Sequence, residues 1–587
     1  MKSIRFRFLA CLVLTLSWMG PTVLAGTKYS KILPRQNKRV YRAIAMEDGD
    51  DNIVSAAFAA FVRARGTGRE MFQTAIEIKQ RKNDFYPDLL LTMAIMQGAN
   101  IQTVIDAYDK NDRDQAKIVA DIMSVAAQGI YYSFERDKQK VFEDAMMVPK
   151  QLILAKEPDV RAAAILAAAY GNNVSASSHV EAAEGGKGVT GAKLLYSAIM
   201  GKELDVQLIK DAFKLEDRIY PNNDWRLMGP FGVLPDRVTT CEAIAIAGMT
   251  NAIGPVMTCI KHEDLRVQIA GIKCLKSLGD KRAAASLAKL LPDCPWPVLI
   301  PLCDTLGTLP EKRVIPSLMK RLQKETGRFR QDVIYSLSSI VGEQVGTNMA
   351  EWVTWYRESY EGFEVDPAKT EAFRSANKVR DMKVAMPASW FGMPIASTRV
   401  SFITDLTSSV AGGRIYAIRK NTFEALKNLS PDSKFNLFDY HDDINSFGRA
   451  LIDDRRMVMR RVLEMPVGDK HPPDPNNPGV FYSDTCRSSD AIFLAMRQAD
   501  VDTIFFVTDS NLEMSRFGTY GQISQAWTIM NRFRPLAFYG VNLDLAGTVR
   551  TQAMVEMAQP HGTSIAFDAG KPGDEKLYIR EADAPKE

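Results

Sequence analysis

The chain is poor in the residues that most often carry chemistry. It has only 5 histidines among 587 residues, and no Cys-x-x-Cys or His-x-x-x-His pair, which excludes a zinc site of the usual ligand spacing. Gly-x-Ser-x-Gly, a phosphate-cradling glycine loop and a histidine set beside a nucleophile are also lacking. Charge of one sign is scarce: 74 Lys and Arg against 70 Asp and Glu leave a formal +4, spread along the chain. That excludes the concentrated basic footprint of a nucleic-acid binder. Long apolar runs are confined to the start.

There, Lys2, Arg5 and Arg7 precede an apolar stretch over residues 8–18, and Val23-Leu24-Ala25 supplies a cleavage site before Gly26. Residues 1–25 read as a signal peptide. The run is shorter than the ~20 residues needed to span a bilayer, and no later segment qualifies, so no span is expected after cleavage. Cys11 stands at the front of the apolar run, where it does not make a lipoprotein signal. Export would end in a periplasm, at a surface or in the medium. Cleavage leaves six of the seven cysteines in a compartment where disulfides can form. Yet Cys241, Cys259, Cys274, Cys294 and Cys303 fall on apolar helical faces or short turns, and Cys486 stands apart, so buried free thiols are expected.

Length predicts two or three domains. After an N-terminal linker over residues 26–50, residues 51–360 are almost all helix-like and repetitive. In the clearest unit Leu265, Ile269, Ile272, Leu275 and Leu278 keep helical spacing, Gly279-Asp280 breaks the chain, and Ala284, Leu287, Ala288 and Leu291 resume it. Asp280 is suited to cap the second helix. Breaks at Gly248, Gly279, Gly307 and Gly342 stand roughly thirty residues apart, a period of helical solenoids. Looser units at Gly66, Gly98 and Gly129 extend the array back toward Asp51. Asp159-Val160-Arg161-Ala162 with Gly171, and the stretch from Asp264 to Asp280, resemble the HEAT-type repeat. Residues 172–192, rich in Ser and Gly, read as a mobile loop within the array, and the charged, Pro-containing residues 361–395 as a linker. Glu351-Trp352-Val353-Thr354-Trp355-Tyr356 reads as an aromatic cover for the end of the stack.

The most informative stretch comes next. Val400-Ser401-Phe402-Ile403-Thr404 runs into Asp405-Leu406-Thr407-Ser408-Ser409, placing a carboxylate and two hydroxyls at alternate positions where a strand should end. About a hundred residues on, Thr503-Ile504-Phe505-Phe506-Val507-Thr508 ends on Asp509. In an open parallel sheet the functional crevice lies beyond the carboxyl ends of the strands, so the two Asp residues can converge there. A hard cation such as Mg²⁺ takes such oxygens and keeps waters. The plainer alternative is a cluster that caps the helices following the strands.

Around these motifs the pattern alternates: a helix over 415–429, a strand over 434–440, helices over 522–533 and 548–557, strands over 536–541 and 564–567. That implies a mostly parallel, doubly wound α/β sheet covered on both faces. Asp454-Arg455-Arg456 and Arg460-Arg461 mark a further helix with a solvated basic face. Residues 396–570 resemble the von Willebrand factor A fold, with 571–587 as a tail.

That resemblance implies a divalent-metal site, with Mg²⁺ or another divalent cation held by Asp405, Thr407, Ser409, a Thr from a second loop, and Asp509. The second-loop position falls on Cys486, and a one-residue shift brings Thr485 to it. A thiol is too soft a ligand for Mg²⁺. Ser510 replaces the Gly that usually follows the third Asp. Signal peptide, HEAT-like α-solenoid and C-terminal A-like domain together resemble a class of exported bacterial proteins. The resemblance implies a non-enzymatic protein-binding, scaffold or adhesion role, with a protein ligand held through an acidic side chain, the solenoid surface, or both. The alternatives are an envelope hydrolase using the metal or Cys486 beside Arg487, and a structural protein whose A-like domain has lost its metal.

Overall fold

The computed structural model describes residues 74–77, 91, 94, 108–109, 111–132, 148–215, 234–377, 388–407, 410, 413–440, 444–448, 450–465, 488–498, 500–509, 520–543, 548–559 and 561–567. The expected signal peptide, the N-terminal linker, Gly66, Gly98 and the tail lie outside them.

A helical N-terminal region is followed by a C-terminal domain built on a mostly parallel six-stranded sheet. The helices that stack in succession in the first region are α1 (Arg113–Tyr132), α2 (Pro158–Tyr170), α3 (Val189–Ile199), α4 (Asp236–Ala247), α5 (Leu265–Leu278), α6 (Trp296–Thr308), α7 (Gly327–Val341) and α8 (Pro367–Ala376), and each packs on the next. Shorter pieces lie between them in a recurring form, a 3-10 turn running straight into a short helix, as in Thr250–Ala252 with Ile253–Cys259, Lys281–Ala283 with Ala284–Ala288, and Lys312–Val314 with Ile315–Lys324. Helix α2 shows why such neighbours stack closely. Pro158 opens it, and every residue from Val160 to Tyr170 is buried, six of them alanines that let α1 and α3 approach on either side.

Capping follows the sequence in part. Asp264 accepts from the Arg266 amide at 2.9 Å to start α5, and Gly279 ends it in the left-handed conformation at φ 69°. Asp280 caps the 3-10 turn that leads into the second helix rather than that helix itself. Gly248 and Gly342 also end helices with positive φ. Gly307 and Gly129 are corrections, since both lie inside helices, α6 and α1. At Gly307 a side chain would meet the Ser339 Cβ at 3.2 Å, so the glycine serves helix contact instead of a break.

Two loop expectations are also corrected. Residues 172–192 carry the 3-10 turn Val174–Ala176, the helix Ser177–Ala182 and the first residues of α3. Ser and Gly content misled there, because Tyr196 Oη donates to the Asn173 carbonyl at 2.8 Å and ties the segment down. In the expected linker 361–395, Asp366 caps α8 and Pro367 opens it, and the helix packs on α7. Further on, Ser389–Trp390 and Met393–Pro394 form a hairpin whose Trp390 is fully buried against Phe402 and Phe505. Trp352 is buried too, as expected of an aromatic cover. The five described cysteines are buried and free.

In the second domain the strands are β1 (Arg399–Asp405), β2 (Lys434–Tyr440), β3 (Ile444–Ser446), β4 (Thr503–Thr508), β5 (Ala537–Asn542) and β6 (Thr563–Ala566), in the order β3-β2-β1-β4-β5-β6. All neighbours are parallel except β3, which runs antiparallel to β2. Helices α9 (Gly413–Asn428) and α10 (Arg455–Glu464) pack with Val400, Phe402 and Phe505 on one face. On the other, α11 (Ser488–Arg497), α12 (Tyr520–Asn531) and α13 (Thr548–Ala558) pack with Ile403, Ile504 and Phe506, in one apolar core continuous with the helical region. Burial on both faces explains why β1 and β4 carry apolar residues at consecutive positions, Phe402-Ile403 and Ile504-Phe505-Phe506-Val507.

The two regions join through Arg532. Its guanidinium donates to Gln128 Oε1 at 2.8 Å and Tyr170 Oη at 3.2 Å, forms an ion pair with Glu242, and lies 4.6 Å from the centre of the Tyr132 ring. Lys273 Nζ donates to the Arg532 carbonyl, and Arg328 Nη1 to that of Asp502 at 2.6 Å.

Candidate functional site

Strand order places the site. The sheet grows from β1 toward β2 on one side and toward β4 on the other, so the order of winding reverses between the parallel strands β1 and β4, and a crevice is left beyond their carboxyl ends. Register pairs Asp405 with Tyr440 of β2 and Thr404 with Val507 of β4, which brings Asp405 level with Thr508 and Asp509.

Asp405 is fully buried. One carboxylate oxygen, Oδ1, accepts from the Thr407 amide at 3.0 Å and its hydroxyl at 2.6 Å, while Oδ2 accepts from Thr508 Oγ1 at 2.8 Å and the Asp509 amide at 3.3 Å. Thus Asp405, Thr407 and Asp509 are brought together. Ser409, Thr485, Cys486 and Ser510 lie outside the described residues. Two residues not singled out from sequence belong to the cluster, Thr508 and Arg414. Thr508 had a signal, since it precedes Asp509 at the end of the same strand.

Arg414 had none. It is the second residue of α9, and its Nη1 is ion-paired with Asp509 Oδ2. The Asp509 side chain is 0% exposed and that of Arg414 35%, so the guanidinium reaches in from the rim. An arginine in the first turn of a helix opposes the positive end of the helix dipole. Its position there is offset by the carboxylate of Asp509. Among the described residues, two carboxylates and one guanidinium meet here.

The donor chemistry can be weighed against a cation. Every described side-chain donor atom in the cluster, on Asp405, Thr407, Thr508 and Asp509, is a hard oxygen, which suits Mg²⁺ or Mn²⁺ and not a soft metal. Among the described residues no group of three or more His, Cys, Asp or Glu is placed to hold a metal, so hydroxyls and water would have to complete the shell. A carboxylate offers roughly four lone-pair sites. A cation on Asp405 must therefore take the place of a donor, and the Thr407 hydroxyl can turn from donor to ligand by rotating its proton away. Ser488, first in α11, has a buried hydroxyl without a hydrogen-bond partner. It stands three residues after Thr485.

The described thiols do not favour nucleophilic chemistry. Hydrogen bonds with Cys259 and Cys274, together with burial, hold the Cys241 thiol well above its ordinary value, and burial pushes Cys294 up to about 11. No helix among the described residues is long and apolar enough to cross a membrane. No known family model matches the chain, and no curated protein does so either.

Proposed function

We propose that this is a non-enzymatic, exported protein that binds a protein ligand, with a divalent-cation site at the strand ends of a von Willebrand factor A-like domain carried on a HEAT-like solenoid. The observation that carries it is the convergence of Asp405 and Asp509 from two adjacent parallel strands, with Thr407 and Thr508 on the same carboxylate. The strand order with a short antiparallel third strand supports the A-like reading, and the stacked helices with their recurring 3-10 turns support the solenoid. In this reading Asp405, Thr407, Asp509 and the hydroxyls near them would hold the cation, which would supply an open position for an acidic side chain of the partner.

Titration of the full chain with Mg²⁺ and Mn²⁺, by calorimetry and by the electron-paramagnetic-resonance signal of free Mn²⁺, tests the cation. One ion per chain is expected, lost in Asp405→Asn. Wild type that takes up neither ion at millimolar concentration would sink the cation part of the reading. The ion pair between Arg414 and Asp509 favours a second reading, a structural protein whose A-like domain works without metal.

A further inference from the structure

Arg414 sits on one of the two carboxylates that a cation would use. It comes from a different element, it approaches from solvent, and it places a positive charge at the end of a helix that repels it. Resting on the proposed cation site, we propose that Arg414 is its resident cation, so that a divalent ion enters by exchange: the guanidinium leaves Asp509 and turns to solvent as the ion takes its place.

Charge decides the direction of the effect. Among the described residues the cluster holds two carboxylates and the Arg414 guanidinium, and a divalent ion must either share the site with that guanidinium or expel it. Sharing sets two cations against one buried carboxylate within a few ångströms, a repulsion poorly screened at a buried site. Expulsion costs the ion pair but returns a well-hydrated side chain to water, which the 35% exposure of Arg414 already permits. The exchange makes cation affinity in wild type weak and tunable, and ties occupancy to the position of α9's first turn.

Mn²⁺ binding to the full chain, read by the free-ion resonance signal, is compared among wild type, Arg414→Gln and Arg414→Lys. Arg414→Gln should bind Mn²⁺ about tenfold or more tightly than wild type, whereas Arg414→Lys, which keeps the charge, should stay nearer wild type. Equal affinity in wild type and Arg414→Gln overturns the exchange while leaving the cation site standing. Binding by Arg414→Gln alone overturns the exchange, because the guanidinium would then block the site in wild type instead of giving way to the ion. No binding by either overturns both. Equal tightening by Gln and Lys also overturns the exchange, because charge would not be the cause. If Arg414→Gln fails to fold, labelling of Arg414 in wild type by phenylglyoxal decides: Mn²⁺ should speed it, and an unchanged or slower rate overturns the proposal.

Discussion

In the helical region the buried pair Arg266 and Asp264 closes on its own neighbourhood, whereas in the sheet domain the carboxylates of Asp405 and Asp509 gather where strands stop. Arg266 and Asp264 are both buried, with Nη2 to Oδ2 at 2.7 Å, two residues apart at one helix start. Arg161 spends its guanidinium on the carbonyls of Ala155, Lys156 and Gly185. The first pair closes at its own helix start and the second group on backbone carbonyls of the helical region, and both hold a shape. Asp405 and Asp509 instead leave two strands, and their partners come from β1's own turn, from β4 and from α9. Charges assembled from separate elements can trade partners when one element shifts, and that makes them suited to binding.

The largest expected effect breaks the contact between the two regions. Arg532→Ala leaves Glu242 without its ion pair and Gln128 and Tyr170 without their donor, and removal of one member of a buried pair costs about 3–5 kcal/mol. Calorimetric unfolding should split from one transition into two. A single transition at an unchanged temperature would show that the regions are joined mainly by apolar contact.

Next comes the sheet domain alone. Asp405→Ala orphans the Thr407 and Thr508 hydroxyls and the Thr407 and Asp509 amides, so a loss of about 2–4 kcal/mol is expected in urea unfolding, with less for Asp405→Asn. Unchanged stability would mean that these donors find water, and that Asp405 serves binding without serving the fold.

Within the helical region Gly191→Ala sharpens the comparison, because the cost there is steric. Its Cβ would fall 2.1 Å from Thr239 Oγ1 and 2.5 Å from the Asp236 carbonyl, and α3 would have to move off α4, for about 1–3 kcal/mol. Gly248→Ala meets open space at φ 65° and should cost about 1 kcal/mol from strain alone. Reversal of that order in thermal melts would refute the close-packing account.

The smallest effect is a pH dependence at the junction. Burial raises the Asp502 carboxyl above its ordinary value, against the opposing influence of Arg328 and the hydroxyls of Ser397 and Thr503. A carboxyl raised on folding contributes stability at pH below its unfolded value and loses it as pH climbs through the folded one. Asp502→Asn, which keeps an acceptor for Ser397, should therefore match wild type below about pH 3.9 and exceed it slightly at neutral pH. A variant weaker than wild type at neutral pH would show that Arg328 outweighs burial.

By itself the sequence determined the element pattern of the sheet domain, with the strands over 434–440 and 503–508 and the helices over 415–429 and 548–557 falling within a residue or two of those observed. Buried parallel strands and amphipathic helices write their period into the chain, so this much is local. The repeating helices were legible for the same reason, through Gly248, Gly279 and Gly342 in left-handed conformations that favour glycine. Tertiary structure decided the rest. Residues 172–192 and 361–395 have the composition of loops, yet Tyr196 secures one and Trp390 buries part of the other, contacts made across distances that composition does not register. Above all it decided Arg414. Only once β4 lies beside β1 and α9 runs back across the sheet does a guanidinium that opens a helix meet a carboxylate ninety-five positions away, because charge acts through space and not along the chain.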